Sequence, residues 1–129
     1  MQISRATEYA LLGLGYLAKK NGVAASAAEI GENEKLSVYF LRNVFQKLRD
    51  AKLITTKTGE GYLLAKKPNQ ISLKDIVEAV EGPVNIHACL QKKNTQCARS
   101  GGCKILKTWG GIQEKFLAEL QKVRLTDLI

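Results

Sequence analysis

Two short helices, each opened by a serine cap and separated by a tight turn, run directly into a glycine-turned pair of β-rich stretches, and few folds accept that order. Ser26-Ala27-Ala28-Glu29 has the capping-box spacing, in which the serine hydroxyl and the glutamate carboxylate satisfy free backbone N–H groups reciprocally. The helix it opens is expected to reach about Asn33. Glu34-Lys35-Leu36 then turns the chain to Ser37, the N-cap of a helix to about Lys52 with Phe40, Leu41, Val44, Phe45 and Leu48 as its apolar stripe. Helices joined this closely predict a helix-turn-helix. Leu53-Ile54-Thr55-Thr56-Lys57 and Tyr62-Leu63-Leu64, parted by Gly59-Glu60-Gly61, predict a β-hairpin. The combination is a winged helix, a mainly α class with a small β-hairpin.

The flanks complete the architecture. Ser4 can cap a helix from Arg5 to about Lys20, with Tyr9, Leu12 and Tyr16 recurring at helical spacing and Asn21-Gly22 ending it. Ser72 caps a helix from Leu73 to about Glu81, closed by Gly82-Pro83. A polar, glycine-broken loop follows from about Val84 to Cys103. The last helix, Lys104 to about Val123, carries Ile105, Trp109, Ile112, Phe116, Leu120 and Val123 as one stripe. Gly110-Gly111 costs about 1 kcal/mol per glycine inside that helix, and leaves room for a partner helix. The stripe must be buried, either in a homodimer or against its own domain; a homodimer matches a palindromic DNA site. The expected division is a winged helix-turn-helix domain over 1–82, a cysteine-containing loop over 83–103, and a dimerisation helix with its tail over 104–129.

Charge narrows the partner. Twenty Lys and Arg against twelve Asp and Glu give a net charge of +8, which attracts nucleic acid or an anionic membrane surface. The longest mostly apolar stretch, Tyr9 to Ala18, is far short of the ~20 residues of a membrane span, and Met1-Gln2-Ile3-Ser4-Arg5 lacks a leader layout. A cytoplasmic protein without a membrane partner is expected. No glycine-rich phosphate loop, metal-binding histidine pair or nucleophile–base pair is present, so an enzyme is not expected.

Cys89, Cys97 and Cys103 are the chain's only cysteines, and all fall in the one loop. An odd number in a cytosolic setting argues against a disulfide framework. Thiolates are soft ligands that suit an iron–sulfur cluster, zinc or copper(I), and the absence of a CxxC pair counts against a zinc knuckle. Redox-active or unused thiols are the other reading.

Several separate motifs converge on one family. Ile3-Ser4 with Tyr9-Ala10-Leu11, Phe40-Leu41 with Leu48-Arg49-Asp50-Ala51-Lys52-Leu53-Ile54, Gly59-Glu60-Gly61-Tyr62-Leu63-Leu64-Ala65, and Ile71 to Gly82 closely resemble the Rrf2 family of bacterial winged-helix regulators. The likeness continues to Leu125-Thr126-Asp127-Leu128-Ile129, and the clustered cysteines before a final helix resemble the family's cluster-binding branch. The resemblance implies a dimeric DNA-binding transcription regulator, a repressor or an activator, whose recognition helix enters the major groove and whose wing enters the minor groove. It implies a 2Fe–2S or 4Fe–4S cluster on Cys89, Cys97 and Cys103 that reports redox state, nitric oxide or iron status. For the fourth ligand it points to an acidic residue of the first helix, supplied by the opposite subunit, a place held here by Glu8; where other members use a histidine, this chain has Leu106. Glu8 also suits its position as a simple N-terminal helix charge, and His87 is a rival ligand or a structural residue.

On the recognition helix the expected DNA contacts are Ser37, Val38, Tyr39, Arg42 and Asn43, with Lys57 on the wing. Arg42 suits bidentate bonds to guanine and Asn43 suits adenine; solvated or packing roles are the alternatives. Lys47, Arg49 and Lys52 are expected to serve phosphates or stay solvated. Two departures from the family pattern stand out: a longer first cysteine gap, and a shorter wing with fewer glycines before Tyr62. The competing functions are a cluster-free regulator of the same fold and, from another class, a small iron–sulfur carrier.

Overall fold

Serine caps and apolar spacing set the helices of the computed structural model, which describes residues 3–87, 90 and 104–129. Helix α1 (Arg5–Lys19) leads to α2 (Ala27–Glu34), α3 (Val38–Asp50), strands β1 (Ile54–Lys57) and β2 (Gly61–Leu64), α4 (Leu73–Glu81) and α5 (Lys104–Lys122). Short 3₁₀ turns at Pro68–Gln70 and Leu125–Leu128 flank α4 and close the chain. The architecture is mostly helical with one antiparallel hairpin, as the sequence pattern predicts.

Local chemistry explains the boundaries, with three corrections. The Glu29 N–H donates to Ser26 Oγ at 3.0 Å, so Ser26 caps α2, but the Glu29 carboxylate turns away to α1 and the reciprocal half of the expected box is missing. Ser4 stands at the N-cap of α1 without capping it; its hydroxyl donates to Glu81 instead. Ser72 and Asp75 do form a full capping box on α4, at 3.0 and 3.1 Å. Helix α3 stops at Asp50, two residues before the predicted end, because Lys52 takes a left-handed φ of 63° and Leu53 N–H bonds back to the Leu48 carbonyl.

The core lies between α1, α3 and α4. Leu41, Val44, Phe45 and Leu48 are buried against Ala10, Leu14 and Leu17 of α1, Ile30 of α2 and Ile76 of α4. Each of the larger of these side chains, Val, Leu, Ile and Phe, contributes about 1.5–3 kcal/mol by leaving water. Phe45 meets Tyr62 of β2 edge-on at 4.8 Å, and Tyr9 meets Phe40 the same way at 4.8 Å. Gly13 admits Phe45, since a Cβ there would lie 2.5 Å from its ring.

The hairpin is docked rather than free. Ile54 pairs with Leu64, and Lys57 with Gly61. On the other edge of β2, Ala25 and Tyr62 exchange both backbone hydrogen bonds, at 3.1 and 2.8 Å, so the α1–α2 connection supplies a third edge. The C-terminal tail docks too: Leu73 N–H donates to Val123 O and Leu125 N–H to Ile71 O, and Leu125 is fully buried. The α5 stripe therefore divides. Leu120 is buried, while Ile105, Trp109 and Ile112 are 53%, 36% and 46% exposed.

Candidate nucleic-acid interface

The N-terminal end of α3 stands clear of the body. Ser37 Oγ accepts from Phe40 N–H at 3.3 Å, and the Ser37 N–H donates to the Tyr9 hydroxyl at 3.2 Å, which ties the helix start to α1. Tyr39 is 79% exposed, and Arg42 and Asn43 are exposed beside it. Val38 differs from these. It is half-buried and fills the space that Gly31 leaves open, where a Cβ would come within 2.8 Å of Val38 Cγ2. Part of its side chain therefore packs the turn between α2 and α3.

An open groove joins this end of α3 to the wing. Arg42, Ser26, Thr56, Lys57 and Thr58 line it, so side chains from three separate elements share one concave surface. Lys57 pairs with Glu60 at 2.8 Å across the hairpin turn; both are exposed, and such a pair contributes about 0–1 kcal/mol. Gly61 holds the wing against the body. Its φ is +114°, and a Cβ would lie 2.4 Å from the Ala25 carbonyl oxygen. Sequence reasoning placed Arg42 and Lys57 but missed Ser26, Thr56 and Thr58. Their only signal is the pairing of Ala25 with Tyr62, which local spacing does not disclose.

Two buttresses orient these elements. Glu29 accepts from the Tyr16 hydroxyl at 2.7 Å and pairs with Lys20 at 3.0 Å, linking the end of α1 to the start of α2. The Tyr16 hydrogen bond, with that of Lys20, holds the Glu29 carboxyl below the usual range, and the same carboxylate raises the Tyr16 phenol. At the other end, Glu81 accepts from Ser4 N–H at 2.9 Å, from the Ser4 hydroxyl and from the Thr7 hydroxyl at 2.7 Å. Burial alone would raise this carboxyl; the bonds from Ser4 and Thr7, helped by the Lys47 charge, outweigh it and hold it low. Lys47 is exposed, and its ammonium lies 3.5 Å from the Val80 carbonyl.

Cys89, Cys97 and Cys103 lie outside the described residues. Glu8 is exposed in the first turn of α1, beside Ile3, Leu11 and Leu12 in an open groove, and has no hydrogen bond or ion pair among the described residues. Its carboxylate is thus available as a donor, and three thiolates with one carboxylate are a set that iron accepts. Among the described residues no group of three His, Cys, Asp or Glu side chains is placed to hold a metal. His87 stacks on Trp109, with ring centroids 5.5 Å apart and planes within 7°, and Ile86 N–H donates to Gln113 Oε1 at 2.9 Å, so the start of the cysteine segment runs along α5. Leu106 is half-buried on that helix. No described helix is long and apolar enough to cross a membrane.

Comparison with known proteins gives these features a context. Residues 3–129 match the family model Rrf2, described as an iron-dependent transcriptional regulator. The chain is 30% identical to the HTH-type transcriptional regulator IscR of Cereibacter sphaeroides, over all of this chain and 87% of that one. Among solved structures, CymR, the global cysteine regulator of B. subtilis, superposes with a TM-score of 0.80 at 28% identity, covering 99% of this chain and 95% of that chain. IscR of T. potens superposes with a TM-score of 0.74 at 23% identity over 99% and 85%, a likeness of fold.

Proposed function

Because the chain belongs to the Rrf2 family of transcriptional regulators, we propose that it binds a palindromic operator as a homodimer and that an iron–sulfur cluster on its cysteine segment sets its affinity. The observation that carries the DNA reading is the shared groove: Arg42 on the recognition helix and Lys57 on the wing line one open surface, with Tyr39 and Asn43 exposed beside Arg42. In this reading Arg42 and Asn43 meet base edges in the major groove, Ser37 and Tyr39 meet base or phosphate, Val38 makes apolar contact from its exposed part, and Lys57 meets the backbone at the minor groove. The exposed half of the α5 stripe, Ile105, Trp109 and Ile112, supports a second copy as its cover. Residues 1–82 then act as the reading head, 83–103 as the sensing loop, and 104–129 as the dimerisation arm, in a protein that works in the cytoplasm.

For the sensing centre, Cys89, Cys97 and Cys103 would hold the cluster and Glu8 would be the fourth ligand, from the opposite subunit. Such a group, when bound, supplies a redox- and nitric-oxide-sensitive centre, either 2Fe–2S or 4Fe–4S. The chain's own part is to offer a weaker oxygen donor among three thiolates and to join that loop to α5 through Ile86 and His87. The likeness to a global cysteine regulator favours a second reading, a cluster-free regulator whose loop answers a partner protein or small molecule.

Anaerobic purification separates the two. A coloured protein with iron and acid-labile sulfide, whose visible spectrum changes in Glu8→Ala, supports the cluster and its fourth ligand. A colourless protein that still selects a duplex from random DNA supports the cluster-free regulator. Failure to prefer any duplex sinks the operator reading in both forms.

A further inference from the structure

We propose that the last turn of α4 is a relay between the cysteine segment and the reading helix, with Glu81 and Lys47 as its positioning residues. The inference rests on the reading that residues 83–103 carry the effector site. Three elements meet at this turn. The Glu81 carboxylate holds the first turn of α1 through the Ser4 N–H, the Ser4 hydroxyl and the buried Thr7 hydroxyl. One residue earlier, the Val80 carbonyl faces the Lys47 ammonium of α3 at 3.5 Å. One residue later, the chain leaves α4 through Gly82 at φ +84° and enters the cysteine segment, with Val84 already buried.

The spacing makes this turn a lever. A displacement of the cysteine segment arrives, within a residue or two, at the carboxylate that stands in for the α1 cap and at the carbonyl that faces α3. Glu8, the proposed carboxylate donor to the cluster of the opposite subunit, follows Thr7 directly, so Glu81 stands between its own cysteine segment, through Gly82, and the partner's sensing centre, through Thr7 and Glu8. Lys47 sits about 7.5 Å along the axis of α3 from Arg42, so a small tilt at Lys47 re-aims the guanidinium in the groove. Nothing in this arrangement requires Lys47 to touch DNA. That separates it from a phosphate contact, which would weaken binding in every state and lower the salt slope by about one.

The test compares the affinity of the protein reconstituted with ferrous iron and sulfide with that of its apo form, on a duplex the wild type selects from a random pool. For the wild type a ratio of about tenfold or more is expected. Lys47→Met and Glu81→Gln bring that ratio within about twofold with the salt slope unchanged, while Lys47→Arg keeps the wild-type ratio. A wild-type ratio in Lys47→Met overturns the relay and leaves the sensing role standing. An equal loss in both states with a shallower salt slope overturns it too, and makes Lys47 a phosphate contact. A wild-type ratio near one sinks the effector role of residues 83–103, and the relay with it. Lys47 is exposed, so its variants decide the matter even if Glu81→Gln does not fold.

Discussion

Two glycines of the wing, two residues apart, have opposite tolerances, and the difference lies in what a methyl group would meet. Gly61 combines φ +114° with the Ala25 carbonyl 2.4 Å from where a Cβ would stand, whereas Gly59 has φ +78° and open space around it. Gly59→Ala should cost about 1 kcal/mol, the left-handed penalty alone. Gly61→Ala should cost about 3 kcal/mol or more, because strain and a backbone clash add and the Ala25–Tyr62 pairing must open. Urea titrations of both variants check this, and equal losses would contradict the docked wing. At Glu29 the prediction concerns pH. The Tyr16 bond, with Lys20, lowers its carboxyl in the folded state, so the stability it contributes is present above the unfolded value of about 4.3 and is lost as pH falls through the lower folded value. Tyr16→Phe removes the larger cause. Its melting temperature should trail the wild type at pH 7, and the gap should narrow as pH falls below the unfolded glutamate value of about 4.3; parallel curves would count against the coupling. The sequence disclosed Ser26 as a cap because the serine-to-backbone bond spans three residues. It misassigned Glu29 because Tyr16 and Lys20, thirteen and nine residues upstream, reach it only after α1 and α2 pack.

At the scale of elements, the helices were legible wherever apolar spacing and a cap coincided, as in α3 and α4. Their ends were less so, since Lys52 closes α3 by a left-handed turn that no residue type announces. The hairpin was legible from β-branched runs around glycines, but its third edge at Ala25 was not, because one isolated residue gives no alternation to read. The candidate interface shared that fate. Arg42 and Lys57 could be named from helix and turn positions, while Ser26, Thr56 and Thr58 join them only through the docking of the wing. The Lys57–Glu60 pair at 2.8 Å gives the wing a prediction of its own. Glu60 neutralises Lys57 and repels phosphate, so Glu60→Gln should tighten binding several-fold on operator and random duplex alike. Lys57→Ala should weaken both alike and lower the salt slope by about one. Affinities measured across a salt series test this. A change confined to one sequence would make Lys57 a base reader rather than a backbone contact.

For the molecule as a whole, the question is where the apolar face of α5 goes. The stripe read from the sequence as a single surface divides into a buried part and an exposed part. Its lower part, at Leu120, and the tail at Leu125 are spent on the chain's own core, fixed by the Leu73–Val123 and Ile71–Leu125 backbone bonds. Its upper part keeps Ile105, Trp109 and Ile112 at the surface, with the start of the cysteine segment running past them through His87 on Trp109. Periodicity alone could not find this division, because the register that buries Leu120 on the core also presents Trp109 outward. The consequence can be tested without disturbing the reading head. Trp109 takes no part in the core around Phe45, Leu14 and Ile76, so Trp109→Glu should leave thermal stability of the winged helix within about 1 kcal/mol of the wild type, as for a surface change. In the proposed homodimer this face is paired, and a charge there is costly to bury, so the variant is expected to sediment as a monomer and the wild type as a dimer. With one reading head instead of two held at a fixed spacing, operator affinity should fall by about two orders of magnitude or more while weak binding to random duplex persists. A Trp109→Glu protein that remains dimeric would place the two-fold contact elsewhere and return the exposed half of α5 to solvent.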